Sequence, residues 1–343
     1  MLKHYFYGWN LVIFRLANHE DSAAILRLSE TAGPGMTTMP RSMAEIEHII
    51  AETHRFVAGN AMAHRVFFVA EMDGVIGGIS AIIPRLGLDR PFYSFKKSRH
   101  TRRSQNPKLS VTYETLSLTT DFDGYSELAT LFVAAHARGS GLAQLLSLGR
   151  LAFICTHRAQ FQPHLMADIR GWFNEAGVSP FWEHLTSKFI DMSYDEADRL
   201  SMNEGHFIDQ ILPAVPLFLN IVPQDVAQCV GRPNEASLGA VRLLKQAGFR
   251  MSDMCDVFDG GPSMVCETDK TLIAQTATQI VGAKPLDSQS DQALIWTGAG
   301  ADFRATIGAV DWQAGVIDDK LAKALGSAPI YMARLRLTDK GVH

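Results

Sequence analysis

Residues 127–155, ELATLFVAAHARGSGLAQLLSLGRLAFIC, constrain this chain more than any other stretch. Residues 128–134 are apolar at almost every position, with the β-branched and aromatic side chains of a strand buried on both faces. From Leu142 onward, Leu145, Leu146, Leu148, Leu151, Ala152 and Ile154 recur at helical spacing. Between the two patterns lie Arg138, Gly139, Ser140 and Gly141, a turn whose glycines accept positive φ and let a ligand approach the backbone closely. The amides of Gly139, Ser140, Gly141, Leu142 and Ala143 then sit at a helix N-terminus. There the first N–H groups lack intrahelical partners, and the helix dipole adds partial positive charge. A phosphate is the expected guest. An ordinary glycine turn between strand and helix reads the same way, and neither a GxGxxG fingerprint nor a P-loop GK[ST] is complete.

The segments before this stretch give a consistent order. Residues 1–10 read as a short extension, and residues 11–16 as a first strand. Asn18 to Asp21 supply a polar break and cap before a helix over 23–30. Residues 41–55 resume a helical period with Met43, Ile46, Ile49 and Ile50 inward. Residues 67–71 and 75–83 flank an Asp-Gly turn and predict a β-hairpin. Beyond the central stretch, residues 165–169 predict a short strand, and Phe181 and Trp182 read as core. Residues 234–249 predict a capped amphipathic helix stopped by Gly248. Composition shifts over 271–290, so the expected division is a main domain over 11–275 and a small β subdomain over 285–343. The fold class is α/β (α+β), a mixed central sheet flanked by helices.

Charge and cysteine usage narrow the partners. The net charge of −4 gives no electrostatic reason to expect nucleic acid or an anionic membrane. No stretch approaches the roughly 20 apolar residues of a membrane helix. Cys155, Cys229, Cys255 and Cys266 form no CxxC or Cys/His cluster, so no metal site is expected, and free thiols in a reducing cytoplasm are. One region runs against the acidic average. Residues 91–124 carry Lys96, Lys97, Arg99, Arg102 and Arg103 among aromatics, and read as a basic loop. It is either a solvated loop, a nucleic-acid contact, or a source of cations for ligand phosphates.

Two levels of resemblance follow from these residues. RGSGLA resembles the RxxGxG/A pattern of the GNAT acyltransferase superfamily, with Arg138, Gly141 and Ala143 in the marked places. The strings DGYSELATLFV, MADIRGWFNEAGVSPFW, GHFIDQILPAVP and CDVFDGGPSMVCETD resemble the arginine N-succinyltransferase family in order and spacing. That resemblance implies a GNAT core and transfer of a succinyl group from succinyl-CoA to the α-amine of arginine, or of ornithine in some members. Succinyl-CoA or another acyl-CoA is then a co-substrate rather than a permanently bound cofactor, and a cationic amino acid is its partner. It also implies a homo-oligomer or a heteromer with a paralogous subunit, and a contact of Leu131 with the acyl-CoA.

The chemistry assigns provisional roles. A neutral amine must attack a thioester carbonyl, and the developing oxyanion needs donors. A splayed strand offers the main chain of Leu131, Phe132 and Val133 for that purpose. Glu127 at the mouth of the strand is the expected base; a carboxylate facing solvent at a strand start is the alternative. The family resemblance implies a proton-donating histidine in a VHP string, but this chain has Gly231, Arg232 and Pro233 there. Arginine does not release a proton near neutrality. Arg232 is therefore expected to stabilise the thiolate electrostatically; a changed substrate or a catalytically quiet partner subunit are the alternatives. A cationic amine calls for carboxylates, with Asp256 and Asp259 ranked first and Asp168, Glu175 or Glu183 available. Arg170 is expected to face the substrate carboxylate or the succinyl group. For Asp259, beside two glycines, a turn role is the alternative.

Overall fold

The structure is a computed structural model that describes residues 11–336, except 33–35, 37, 60–61, 204–205, 288–289 and 327. The expected N-terminal extension over 1–10 lies outside the described residues.

The chain opens with β1 (Val12–Leu16), α1 (Ser22–Thr31), α2 (Met43–Val57), β2 (Val66–Met72) and β3 (Val75–Ile83). Each boundary has a local cause. The Asn18 side chain accepts from the Glu20 amide while Asp21 accepts from the Asn18 amide, closing a reciprocal cap. Ser42 caps α2 through the Glu45 amide. Asp73 and Gly74, at φ 53° and 77°, make the two-residue β2–β3 turn.

Next come β4 (Ser94–Gln105) and β5 (Lys108–Thr119). The expected basic loop is thus a correction: residues 94–119 form a ladder of twelve cross-strand pairs, from Ser94 with Thr119 to Gln105 with Lys108. The charged first strand shows no apolar alternation to betray it; the cue was in the second, where Leu109, Val111 and Tyr113 alternate with Ser110, Thr112 and Glu114.

The central stretch gives β6 (Ser126–Val133) and α3 (Leu142–Thr156), followed by β7 (His164–Asp168). A helical layer then runs through α4 (Pro180–His184), α5 (Tyr194–Asn203) and α6 (Phe207–Ile211) to β8 (Leu217–Phe218) and α7 (Gln224–Cys229). After it lie α8 (Leu238–Gln246), β9 (Arg250–Cys255), β10 (Pro262–Glu267) and α9 (Leu272–Thr276). The tail holds β11 (Thr278–Gln279), β12 (Gly282–Lys284), β13 (Asp291–Thr297), β14 (Arg304–Asp311), β15 (Val316–Asp318), α10 (Asp319–Leu325) and β16 (Ile330–Arg334).

One sheet links nearly everything, in the order β11-β16-β13-β14-β1-β2-β3-β6-β7-β10-β9-β4-β5-β8, with β15 and β12 attached at β14. Most pairs are antiparallel; β6 with β7 is parallel, which makes the sheet mixed. The C-terminal strands continue the main sheet, since β14 pairs with β1 at Phe14 and Arg15. Helix α3 covers one face of the centre with Leu142, Leu145, Leu146 and Leu148 buried, while α1 and α2 cover the other with Ile25, Ile46 and Ile50. Close packing of α3 requires missing side chains: a Cβ on Gly78 would stand 2.8 Å from the Leu146 side chain, and one on Gly149 2.7 Å from the Phe14 ring. Phe181 and Trp182 are buried in the core of the helical layer, as read from sequence.

Candidate functional site

Strand β6 is broken in the middle of its buried run. Ser80 pairs with Leu131 but Ala81 pairs with Ala129, so Thr130 is an extra residue, a β-bulge with φ 39°. Such a conformation costs about 1–3 kcal/mol for a residue other than glycine, so the surroundings must enforce it. The Thr130 hydroxyl donates to the Thr38 carbonyl, and beside the bulge lies Arg150 of α3, only 3% exposed. Its guanidinium donates to the carbonyl oxygens of Ala129 at 2.9 Å and Ala81 at 3.4 Å, and its Nε to that of Leu146 at 3.2 Å. Burial lowers its pKa to about 9, opposed by the charge of Glu127; it stays charged at neutral pH. Neither Thr130 nor Arg150 was singled out by sequence reasoning. A cation in the apolar stripe of α3 was the available signal.

The bulge has a consequence for the neighbouring strand. β6 and β7 pair only at Ser126 with Leu165 and Glu127 with Met166, then part. From Leu128 to Val133 the edge of β6 facing β7 therefore has no strand partner among the described residues. The main-chain groups of Leu131, Phe132 and Val133 that β3 does not take lie along this opened edge.

The strand leads straight to the glycine turn. Gly139 and Gly141 have φ 82° and 85°, and a Cβ at either would meet nothing within 4 Å. The turn thus faces open space on the side where a ligand would approach. Gly141 is the N-cap of α3 without a side-chain cap. Its carbonyl accepts from the amides of Gln144 and Leu145, and the Ser140 hydroxyl donates to Ala137. Nothing among the described residues caps the amides of Leu142 and Ala143, the first of the helix. Arg138 is exposed at the edge of this turn and has no carboxylate partner among the described residues. The structure therefore brings all nine predicted anion-site and strand residues into one continuous feature.

At the other end of β6 is a group of carboxylates. Glu127 is not the solvent-facing residue that was its alternative: it is 9% exposed, and burial raises its pKa to about 7 against the opposing charges of Arg65 and Arg150. Asp168, at the end of β7, accepts a short hydrogen bond from the Ser263 hydroxyl. Burial, then the charges of Asp256 and Glu127, push its pKa well above the carboxylate range. Asp256 and Asp259 are also raised by burial, Asp259 further by Asp256 beside it. Both hold the FDGGP turn. Asp256 accepts from the amides of Phe258 and Asp259 at 2.7 and 2.8 Å, and Asp259 from those of Gly261 and Gly171 at 2.7 and 2.8 Å. The turn role left open for Asp259 is thus present, and each of its oxygens is engaged by an amide.

The two acid-bearing strings are pressed together. A Cβ on Gly171 would lie 2.3 Å from the Asp259 carbonyl oxygen, and one on Gly261 2.1 Å from that of Ile169. The VGRP string docks on the same place. The Gly231 amide donates to Gly260, the Asn234 amide to Arg170, and Gly171 bridges Pro233. Arg232 is exposed, its guanidinium 4.3 Å from the centre of the Trp172 ring. Arg170 lies 4.3 Å over the Phe173 ring, with a buried Nε that no acceptor among the described residues satisfies. Glu175 and Glu183 are exposed, outside this buried group. The four cysteines are free thiols. No group of three or more metal-ligating side chains occurs among the described residues, and no described helix is long and apolar enough to cross a membrane.

Comparison with known proteins places this geometry. A family model described as arginine N-succinyltransferase beta subunit matches residues 12–273. The arginine N-succinyltransferase subunit beta of Pseudomonas aeruginosa is 31% identical over 321 residues, covering 92% of this chain and 94% of the relative. An arginine N-succinyltransferase of Escherichia coli is 28% identical over 286 residues, covering 82% and 83%. Among solved structures, the arginine/ornithine succinyltransferase subunit AI of Pseudomonas aeruginosa superposes with a TM-score of 0.84 at 26% identity, covering 95% of this chain and 99% of that one.

Proposed function

The chain belongs to the arginine N-succinyltransferase family, and on that premise we propose that it transfers a succinyl group from succinyl-CoA to the α-amine of arginine or ornithine. The observation that carries this reading is a single continuous feature. An uncapped, open glycine turn lies at one end of a bulged, half-unpaired strand, and a buried carboxylate group at the other. An acyl-CoA spans such a feature naturally. Its pyrophosphate takes the amides of residues 139–143 with Arg138 beside them, and its thioester lies along Leu131, Phe132 and Val133, whose main chain receives the oxyanion.

The base is Glu127. With a pKa raised to about 7 it is half ionised at neutral pH, where a general base is both available and strong enough to take a proton from the ammonium directly or through water. A guanidinium-bearing substrate suits the carboxylates of Asp256, in the turn that Asp259 also holds, and of Asp168 on β7, where an incoming cation favours the ionised form that burial opposes. Arg170, whose Nε lacks a partner among the described residues, suits the substrate carboxylate or the succinyl terminus. Arg232 stands where the resemblance implies a histidine and stabilises the departing thiolate by charge alone. Its exposure and its stacking on Trp172 favour a second reading, a catalytically weak subunit that pairs with an active paralogue. The proposal includes assembly, either of identical copies or with such a paralogue.

Release of free thiol, measured with purified protein across acyl-CoA donors and cationic amino acids, tests the reading. Turnover with succinyl-CoA and arginine or ornithine, lost in Glu127→Gln, is the expected result. CoA binding without turnover for any amine would select the quiet-subunit reading, and absence of CoA binding would refute both.

A further inference from the structure

The basic ribbon of β4 and β5 has no part in the acyl-transfer geometry. Its inner end is anchored: β4 pairs with β9 at Phe95 and Lys96, and β5 pairs with β8 at Thr115 and Leu116. Beyond those residues each strand pairs only with the other, out to the Asn106–Pro107 turn. A two-stranded ribbon is marginal in water by itself, and two open edges invite pairing. Its two faces differ. Leu109 and Val111 are 58% and 56% exposed, and the same face continues through Tyr113 to Phe218, whose ring centre is 5.4 Å from that of Tyr113. The opposite face carries Arg99, Arg103 and Lys108.

Charge identifies what covers it. Residues 94–119 hold six Lys or Arg and one Glu, whereas the whole chain has 32 basic and 36 acidic residues, so the remainder carries nine more acids than bases. The acids concentrate in the helical layer next to the ribbon: residues 180–229 contain eight Asp or Glu and two Lys or Arg. A polyanion approaching the ribbon would meet that acidic layer too. A second copy of this chain would not, because a twofold axis sets each ribbon against the other copy's acidic layer.

We propose that the β4–β5 ribbon is an arm that docks on the acidic helical layer of a second copy of this chain, with Leu109 and Val111 as its apolar contact. This deepens the reading that the protein assembles, and the test separates the two. Sedimentation equilibrium on the full chain is expected to give a dimer, weakened at least tenfold by Leu109→Asp with Val111→Asp. Two charge reversals sharpen it. Arg102→Glu, opposite Val111 on the face of the apolar contact, and separately Asp191→Lys with Asp225→Lys, should each weaken the dimer; mixing the two proteins should restore it, because both contacts in the mixed dimer regain opposite charge. Unchanged circular dichroism and melting of each variant establish that the fold is kept. A monomeric parent would overturn both readings. A dimer indifferent to all these variants, or an oligonucleotide bound through the arm with the dimer untouched, would overturn the arm alone.

Discussion

Replacing Arg150 by methionine is the sharpest test of how the site is held. The substitution keeps most of the side-chain volume but removes the donors to the Ala81, Ala129 and Leu146 carbonyls at a buried position. Hydrogen bonds to a charged donor contribute about 1.5–3 kcal/mol each and a buried acceptor left unsatisfied costs about 1–3 kcal/mol, while release of the buried guanidinium offsets part of this, for a net loss of about 3–5 kcal/mol. With an unfolding entropy of about 2.1 cal/mol/K per residue, 343 residues convert that loss to roughly 4–7 °C of melting temperature. Activity should fall further than stability, because the Thr130 bulge is free to relax and close the opened edge of β6. Loss of the nearby cation also pushes Glu127 above its pKa of about 7, so the acid limb of kcat/KM moves to higher pH. Calorimetry and a pH–rate profile read the two effects. Arg150→Met with parental melting, parental kcat and an unmoved limb would refute the claim that this guanidinium holds the bulge.

Three further outcomes follow from the same geometry. Gly141→Val should abolish CoA binding in calorimetry while the protein remains folded by circular dichroism, because a branched side chain fills the open approach to the helix amides and opposes φ 85°; unchanged affinity would remove the anion site. If Glu127 is the base, its ionised form is the active one. With the folded pKa raised to about 7, kcat/KM should then fall one proton at a time as pH drops below 7, and the limb should vanish in Glu127→Gln. A limb near pH 4.5 would contradict that assignment. Arg232→His, which restores the residue implied by the family resemblance, should raise turnover by less than about tenfold: the ring loses the stacking on Trp172 that places residue 232, so its position is not preset. A gain of several orders of magnitude would show the local geometry to be intact.

Much of the fold was legible because local chemistry enforces it. The reciprocal cap at Asn18 and Asp21, the Asp73–Gly74 hairpin and the Gly248 helix stop, with φ 101°, are short-range devices whose residue types name their conformation. The apolar runs of β6 and α3 were equally plain, since both are buried by neighbours on each side. The β4–β5 ribbon failed that logic. Beyond its anchored inner end the register is fixed by cross-strand pairing alone, and the charge along its first strand looks identical in a loop and in such a ribbon.

The site divides along the same line. Residues 138–143 could be read because glycines at a strand-to-helix turn have a meaning wherever the chain goes next. The carboxylates could be named but not assigned, because their duty depends on partners distant in sequence. Asp259 holds the amide of Gly171, 88 residues away, and Glu127 is buried beside Arg65 and Arg150. The bulge was invisible for the strongest reason. Thr130 is a good strand former whose backbone conformation is unfavourable in isolation, and contacts from other parts of the chain hold it there, the Arg150 guanidinium on the Ala129 carbonyl and the Thr38 carbonyl on the Thr130 hydroxyl. Local preference and final structure disagree at that residue, and it lies where the acyl-CoA reading needs an opened strand. A strand that followed its local preference would have paired along its full length and left no edge for a thioester.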